Sequence, residues 1–138
     1  MEAIHTQLTI LNRADQALVT HGRLHPKQVR CLKLDDVRIS ANATSLCLPA
    51  NLIQQLGLSL LKEITALTTS GYQRVRVFQD AKISLCGREG EFQCLELPIG
   101  EPPLLGRIPL QDLGIDVDWQ THQLNVLPDN NEQTYYRA

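Results

Sequence analysis

Alternation of apolar and polar residues predicts that the chain is built mainly from β-strands. Between residues 4 and 11, Ile4, Thr6, Leu8 and Ile10 share one side, and the residues between them are polar. A period of two residues is typical of a strand that has one face in the core. We therefore expect the fold to begin with a strand over residues 4–11.

A second strand is predicted over residues 29–39, followed by a loop and a short helix. Alternation is less regular in this strand, but Val37 and Ile39 restore it just before residue 40. Pro49 suits a first helical turn because its φ is already helical, and Gly57 suits a helix end because it adopts a left-handed φ. The pattern therefore predicts a helix over residues 49–56.

Two hairpins are predicted in the middle of the chain. Residues 60–67 and 72–85 favour strands, and Thr68-Thr69-Ser70-Gly71 between them is a turn in which Gly71 supplies a positive φ. The second hairpin is expected to turn at Gly87–Gly90. The pattern then predicts a strand at 92–97, a Pro- and Gly-rich loop at 98–103, an apolar run at Leu104-Leu105, a helical turn at 110–113, and closing strands at 115–119 and 123–127.

The length and composition of the chain predict a single domain. The 138 residues, of which 43% are hydrophobic, are enough for one core and too few for two ordinary domains. We expect this domain to occupy residues 1–127. The polar residues 128–138, which include Tyr135 and Tyr136, are expected to form a C-terminal tail.

Charge and hydropathy exclude several classes of partner. The net charge is −2 and the basic residues are scattered, so we expect no nucleic-acid partner. No apolar run approaches the ~20 residues that span a bilayer, so we expect no membrane segment. The start of the sequence lacks a basic region followed by an apolar stretch, which predicts a cytoplasmic protein.

The four cysteines, Cys31, Cys47, Cys86 and Cys94, are predicted to be free thiols. They form no Cys-x-x-Cys pair and no regularly spaced histidines accompany them, so we expect no metal and no cofactor. Cys86 and Cys94 flank the predicted turn at Gly87–Gly90, and such a turn would allow them to face each other across the hairpin. A cytosolic chain would keep such a pair reduced.

Three stretches resemble retropepsin-like aspartic peptidases, in the order in which that family carries them. Val37–Pro49, with the sequence VRISANATSLCLP, is similar to the active-site loop, which reads as two apolar residues, Asp-Thr/Ser-Gly-Ala-Thr, a short apolar run and Pro. His25–Arg30, HPKQVR, is similar to a stretch of the small prokaryotic members. Leu104-Leu105-Gly106-Arg107 is similar to the family's second element. The resemblance covers roughly residues 4–127.

This resemblance implies an all-β, retropepsin-like acid-protease fold with a flap hairpin and one or two short helices. It places Thr69, Ser70, Gly71 and Tyr72 at the tip of a flap over a peptide-binding cleft. It also implies a homodimer, because small members of the family form the cleft between two chains.

The loop that resembles the active site lacks its acid. Ser40 stands where the family has Asp, Ala41 where it has Thr and Asn42 where it has Gly, whereas Ala43 and Thr44 match the family. Aspartic proteolysis requires two carboxylates about 3 Å apart that share one proton, and two Ser40 hydroxyls in a dimer supply none. No catalytic residue is therefore assigned.

The neighbouring substitutions have their own expected effects. The family's Thr bonds across the dimer through its hydroxyl, which Ala41 lacks. Asn42 replaces a glycine that makes a tight turn, and Asn is among the few residues that tolerate left-handed geometry, so the substitution is compatible with the family's backbone shape. By resemblance Arg107 is held by a buried acid, but the family's acidic residue near the position of Thr44 is missing here, so its partner is not identified.

The sequence thus predicts a catalytically inactive retropepsin homologue that binds an extended peptide or a partner strand in the cleft of a dimer. One alternative is an active aspartic endopeptidase whose acid comes from elsewhere, and another is a structural dimerisation module. Asp36 is the nearest acid upstream of Ser40, but four residues of extended chain place it roughly 13 Å away. We therefore do not expect it to replace the missing carboxylate.

Overall fold

A computed structural model describes residues 4–128 of the protein. These residues form the strands β1 (Ile4–Asn12), β2 (Cys31–Ile39), β3 (Leu46–Pro49), β4 (Ser59–Thr68), β5 (Gly71–Leu85), β6 (Arg88–Leu97), β7 (Leu104–Leu105), β8 (Ile115–Asp118) and β9 (Gln123–Val126). They also form the helices α1 (Arg13–Thr20), α2 (Ala50–Leu56) and α3 (Arg107–Asp112), and a 3-10 helix at Pro26–Gln28. The all-β prediction with short helices is confirmed.

Seven strands form one sheet in the order β1-β2-β7-β3-β6-β5-β4, and β8 and β9 form a separate hairpin. Strand β1 pairs with β2, and its second half also pairs with β5, so the sheet curls back on itself. The short strand β7 lies between β2 and β3, parallel to the first and antiparallel to the second. This insertion brings the segment after β7 against the loop between β2 and β3.

The core lies against one face of this sheet. Residues paired directly across neighbouring strands project from the same face. One such row runs across five strands, and each of its side chains is at most 8% exposed: Ile39, Leu105, Leu46, Cys94 and Phe78. Full burial of one such side chain stabilises the fold by about 1.5–3 kcal/mol. Helix α2 adds Ile53 and Leu56 to the same core.

Helix α2 and the hairpin of β4 and β5 agree closely with the sequence prediction. Helix α2 begins one residue later than expected, with Pro49 as the residue before it, and Gly57 ends it with a φ of 63°. Gly71 has a φ of 98°, as the predicted turn requires. Helix α3 begins at Arg107 rather than at residue 110, because the chain turns directly after β7.

The predicted positions of Cys86 and Cys94 are wrong. The hairpin turns at Cys86-Gly87, where both residues have a positive φ, and Leu85 pairs directly with Arg88. Two consecutive residues with positive φ make the tight turn whose twist suits a hairpin. Cys86 is therefore exposed in the turn, whereas Cys94 pairs with Phe78 and is buried. The two thiols do not face each other.

Helix α1 was not predicted, and it belongs to a polar cluster that we call the Asn12–Asp15–Arg30 clamp. The Asn12 side chain accepts a hydrogen bond from the Asp15 backbone N–H and donates to the carbonyl oxygens of Leu56 and Gly57, at 2.8 and 3.2 Å. The Asp15 carboxylate accepts from the Arg30 backbone N–H, Nε and Nη2, at 3.0, 2.8 and 2.9 Å. The clamp thus joins the start of α1, the entry to β2 and the end of α2.

The proposed limits of the domain stay a prediction. Except for Pro128, the predicted polar tail lies outside the described residues. Within residues 4–128, no helix is long and apolar enough to cross a membrane.

Candidate functional site

The loop of residues 40–45 between β2 and β3 is fixed by the chain that leaves β7. Four backbone hydrogen bonds connect the two segments: Ser40 N–H to Leu105 O at 3.2 Å, Gly106 N–H to Ser45 O at 3.0 Å, Arg107 N–H to Ala43 O at 3.0 Å and Ile108 N–H to Thr44 O at 2.9 Å. Two of the three stretches that carry the sequence resemblance are therefore in direct contact. We call residues 40–45 the Ser40 loop.

Gly106 is required by the closeness of this contact. A Cβ atom on Gly106 would lie 2.5 Å from the backbone N of Ser45 and the backbone C of Thr44, and 2.7 Å from the backbone C of Ala43. Its φ of −94° is open to any residue, so conformational freedom is not the reason for glycine here. The absence of a side chain lets the two backbones approach.

Ser40 is held by its backbone and keeps its hydroxyl within the loop. Its Oγ accepts a hydrogen bond from the backbone N–H of Asn42 at 3.3 Å. Among residues 4–128, no carboxylate or imidazole bonds this hydroxyl, so no base stands ready to remove its proton. A serine hydroxyl without such a base is a weak nucleophile.

Asn42 does not use the left-handed conformation that Asn tolerates. The non-glycine residues with positive φ in the described chain are Asp80, Cys86 and His122, so Asn42 has a negative φ. The bond from its N–H to the Ser40 hydroxyl closes the turn locally, as Ser side chains do in such turns. The backbone therefore does not need a glycine-like conformation at this position.

Asp36, which is near the loop in sequence, and Arg107, which meets it only in space, do not serve it as acid or ion pair. The Asp36 carboxylate is 75% exposed and contacts the His5 ring on β1. The Arg107 side chain is exposed and has no ion-pair partner among residues 4–128, although its backbone N–H binds the Ser40 loop. The acid that the resemblance implied for Arg107 is thus not found in the described part of the chain.

The hairpin of β4 and β5 carries the residues predicted for a flap at its tip. The Thr68 hydroxyl donates to Gly71 O at 2.8 Å and accepts from the Ser70 N–H at 3.1 Å, which fixes the turn at Thr69-Ser70. Tyr72 pairs directly with Leu67, and these two side chains are 76% and 72% exposed. The tip therefore presents an apolar pair to its surroundings.

The second face of the sheet carries a row that sequence reasoning missed. Direct pairing places Leu104, Cys47, Leu95 and Val77 side by side on the face opposite the core row. Val77 and Cys47 are buried, whereas Leu104 and Leu95 are half-buried. The apolar runs in the sequence signal strands, but only the register shows that these four residues share a face.

Cys47 takes part in this row as an apolar group. Burial raises the pKa of its thiol to about 11, so the thiol stays protonated at neutral pH. A protonated, buried cysteine neither attacks a substrate nor binds a metal well. Burial also raises the pKa of Cys94, and no cluster of three metal-binding side chains occurs within residues 4–128.

Comparison with known proteins identifies the fold. No protein-family model and no curated protein matches the chain. Among solved structures, the EIAV protease in complex with the inhibitor HBY-793 matches with a TM-score of 0.54 and 18% identity, over 82% of this chain and 89% of that one. The protein therefore has an all-β fold of the retropepsin type, the fold of a retroviral protease.

Proposed function

We propose that this protein is a retropepsin homologue with a degenerate active-site loop, which binds an extended peptide without cleaving it by the aspartic mechanism. One observation carries the proposal. The Ser40 loop is seated on the segment after β7 by four backbone bonds, but the side chain at its start is a hydroxyl that only accepts a backbone N–H. The position that would need a carboxylate thus has none.

The chemistry of the site supports the absence of aspartic catalysis. In the aspartic mechanism one carboxylate activates water while its partner, which carries the shared proton, polarises the scissile carbonyl. Ser40 supplies neither a charge nor a base of suitable pKa. Asp36 contacts His5, on the adjacent strand. The alternative, an active aspartic endopeptidase whose acid comes from elsewhere, is tested by the first experiment below.

The second face of the sheet supports binding. The row of Leu104, Cys47, Leu95 and Val77 is apolar, and two of its members remain half-exposed. Strand β3 in this row leads directly from the Ser40 loop, and β5 leads to the hairpin tip with Tyr72 and Leu67. An extended peptide between the Ser40 loop and the hairpin would bury the exposed parts of Leu104 and Leu95 and the side chains of Tyr72 and Leu67.

A homodimer would fit the proposed peptide-binding function. In the family that the sequence resembles, the cleft forms between two chains, and here Ile108 is 56% exposed in α3, directly beside the Ser40 loop. An exposed isoleucine at this place is suited to a contact between two copies. We infer that the two Ser40 loops lie near the two-fold axis of a homodimer.

We expect the purified protein to show no peptide cleavage that pepstatin, an inhibitor of aspartic peptidases, can block. The Ser40→Asp, Ala41→Thr, Asn42→Gly triple variant is expected to gain such cleavage, because it restores both the acid and the hydroxyl that bonds across the dimer. The measurement is cleavage of a peptide library between pH 4 and 7, with and without inhibitor.

The matched control carries Asn instead of Asp at residue 40, with the other two changes kept, and is expected to stay inactive. Pepstatin-sensitive cleavage by the unmodified protein would favour the alternative with an acid from elsewhere. A triple variant that folds and dimerises but neither cleaves nor binds any peptide would favour the structural-module alternative.

We expect a dimer by sedimentation at about 10 µM, the range in which weak but specific pairs assemble. Ile108→Glu should shift the protein to monomer, because it places a charge in the proposed contact. Leu18→Glu on α1, where Leu18 is 39% exposed, is the control and should not change the sedimentation. A monomeric unmodified protein, or equal behaviour of the two variants, would contradict the proposed interface.

A further inference from the structure

The hairpin of β4 and β5 continues beyond the rest of the sheet as a two-stranded ribbon. The ladder between β5 and β6 ends at the pair of Val77 and Leu95, so residues 71–76 of β5 pair with β4 alone. Strand β4 is the last strand of the sheet, and its outer edge is unpaired within residues 4–128. A two-stranded ribbon has little stability of its own, so its position depends on the contacts at its base. We call residues 62–76 the hairpin ribbon.

The base of the hairpin ribbon contains an irregularity in each strand. The register between β4 and β5 shifts at Leu61. The register between β5 and β6 shifts between Phe78 and Ala81, where Asp80 has a φ of 75°. Irregularities of this kind bend a strand and interrupt its ladder of hydrogen bonds. Leu61 and Asp80 line the same groove, so the ribbon leaves the sheet where regular pairing is interrupted in both of its strands.

One ion pair connects the hairpin ribbon to the rest of the fold. Arg76 donates to the Glu96 carboxylate on β6 through Nε at 3.0 Å and through Nη2 at 2.7 Å. Among residues 4–128, no other side-chain hydrogen bond or ion pair joins the ribbon to a segment outside the hairpin. We call this contact the Arg76–Glu96 bridge.

The bridge lies one position past the last pair of the β5–β6 ladder. Because Val77 pairs with Leu95, the register places Arg76 opposite Glu96. A bidentate contact fixes the direction of the guanidinium as well as its distance. This guanidinium also lies 5.5 Å from the ring centre of Phe78, a core side chain to which a cation at this distance is attracted. The bridge therefore ties the ribbon both to β6 and to the core.

A small rotation at the base of the ribbon is amplified at its tip. Between Arg76 and Gly71 the extended strand spans about 17 Å, at a rise of about 3.3 Å per residue. A rotation of about 15° at the bridge then moves the tip by about 4 Å, close to the spacing of two neighbouring strands. The tip carries Tyr72 and Leu67, which the proposed function assigns to peptide burial. A movement of this size is enough to admit or exclude one extended chain.

We propose that the Arg76–Glu96 bridge holds the hairpin ribbon closed over the proposed peptide site. The bridge thereby limits how fast a peptide enters and leaves. This inference rests on the proposed peptide-binding function and names the residues that regulate it. Arg76 and Glu96 project from the face opposite to Val77 and Leu95, so neither touches a peptide on the apolar row. Without the bridge, the ribbon should open more often, and association and dissociation should both become faster.

The first measurement is NMR relaxation dispersion of the ribbon amides without peptide, because this method detects hinge motions on the µs–ms timescale. Glu96→Gln is expected to raise the population of the open conformer about 5-fold, the order of effect that a bidentate ion pair supplies. Glu63→Gln is the matched control. It removes a negative charge opposite Arg76, but the pair that it breaks, Arg74 and Glu63 at 3.2 Å, lies within the ribbon. Equal dispersion in the three proteins, or none in any of them, would overturn the role of the bridge.

Arg76→Gln should reproduce the effect of Glu96→Gln, and the double variant should exceed neither, because two residues that act through one contact are not additive. In the unmodified protein, about 0.5 M salt should also raise the open population, which tests the bridge even if a variant does not fold. An additive double variant, or an unmodified protein whose ribbon does not respond to salt, would contradict the proposal.

Stopped-flow fluorescence with a fluorescein-labelled peptide of alternating Leu and Thr residues then tests access to the site. Both rate constants should rise about 5-fold in Glu96→Gln, with a smaller change in their ratio, and should change little in Glu63→Gln. Unchanged rates in a variant whose ribbon opens more often would refute control of access by the bridge. If the peptide binds none of the proteins, the proposed function fails, whereas the NMR measurement still decides whether the bridge holds the ribbon.

Discussion

Gly106→Ala is expected to be among the most damaging single substitutions in this protein. The added Cβ would stand 2.5 Å from two backbone atoms of the Ser40 loop, and neither backbone segment is free to move because four hydrogen bonds connect them. Overlap with backbone in a tightly packed place belongs to the mechanisms that give large losses, so we expect a decrease of about 3–5 kcal/mol in the free energy of unfolding. The measurement is the urea midpoint at pH 7.

Gly22→Ala is the control that separates steric crowding by a Cβ atom from the cost of a left-handed backbone conformation. Gly22 has a φ of 71°, but a Cβ there would meet no atom within 4 Å. Its replacement should cost about 1 kcal/mol, the usual penalty of a left-handed alanine. If Gly106→Ala proved no more destabilising than Gly22→Ala, the close seating of the Ser40 loop on the segment after β7 would be refuted.

Asp15→Asn is expected to cost about 2 kcal/mol at pH 7, because it removes the charge from a carboxylate that accepts three hydrogen bonds from Arg30. The hydrogen bonds and charge of Arg30 hold the pKa of Asp15 below its ordinary value of 3.8. A lowered folded-state pKa means that the carboxylate stabilises the fold fully above pH 3.8. This contribution is lost as the pH falls further, through the folded-state pKa.

The pH dependence gives this prediction its test. The difference in urea midpoint between the unmodified protein and Asp15→Asn should be constant from pH 7 to about pH 5 and should shrink below pH 3.8. Asp116→Asn, at an exposed position of β8, is the control and should change the midpoint little at any pH. A difference between Asp15→Asn and the unmodified protein that persists unchanged in acid would show that the charge on Asp15 does not stabilise the clamp.

Two residues of the Asn12–Asp15–Arg30 clamp form a helix-start pattern that could have been recognised in the sequence. Asn12 precedes a helix and Asp15 lies in its first turn, the arrangement that favours a helix start. Helix α1 has only eight residues, too few for a helical period of apolar residues to be recognised. Asp15 also accepts a hydrogen bond from Arg30, and the Asn12 side chain also donates to the carbonyl oxygen of Leu56. These bonds join distant parts of the chain, so no local sequence rule predicts them.

The features of the Ser40 loop and its surroundings also fall into two groups, those that depend on neighbouring residues in the sequence and those that depend on other contacts. The missing acid, the helix after Pro49 and the turn at Gly71 follow from residue types within a few positions of one another. The conformation of Asn42 did not follow, because the hydroxyl of Ser40 closes the turn in place of a left-handed residue. The need for glycine at residue 106 depends on a loop about 60 positions earlier in the chain.

The sequence by itself determined that the chain forms β-strands in which apolar and polar residues alternate. It also determined the turns at Gly71 and near Gly87, one helix after Pro49 and the absence of a carboxylate at residue 40. These features depend on backbone preferences and on a two-residue period, both of which act over short stretches of chain. The tertiary structure decided that Cys86 and Cys94 lie apart and that Leu104, Cys47, Leu95 and Val77 share one face of the sheet. The physical reason is strand register, since pairing between distant segments, and not alternation within one strand, decides which side chains meet.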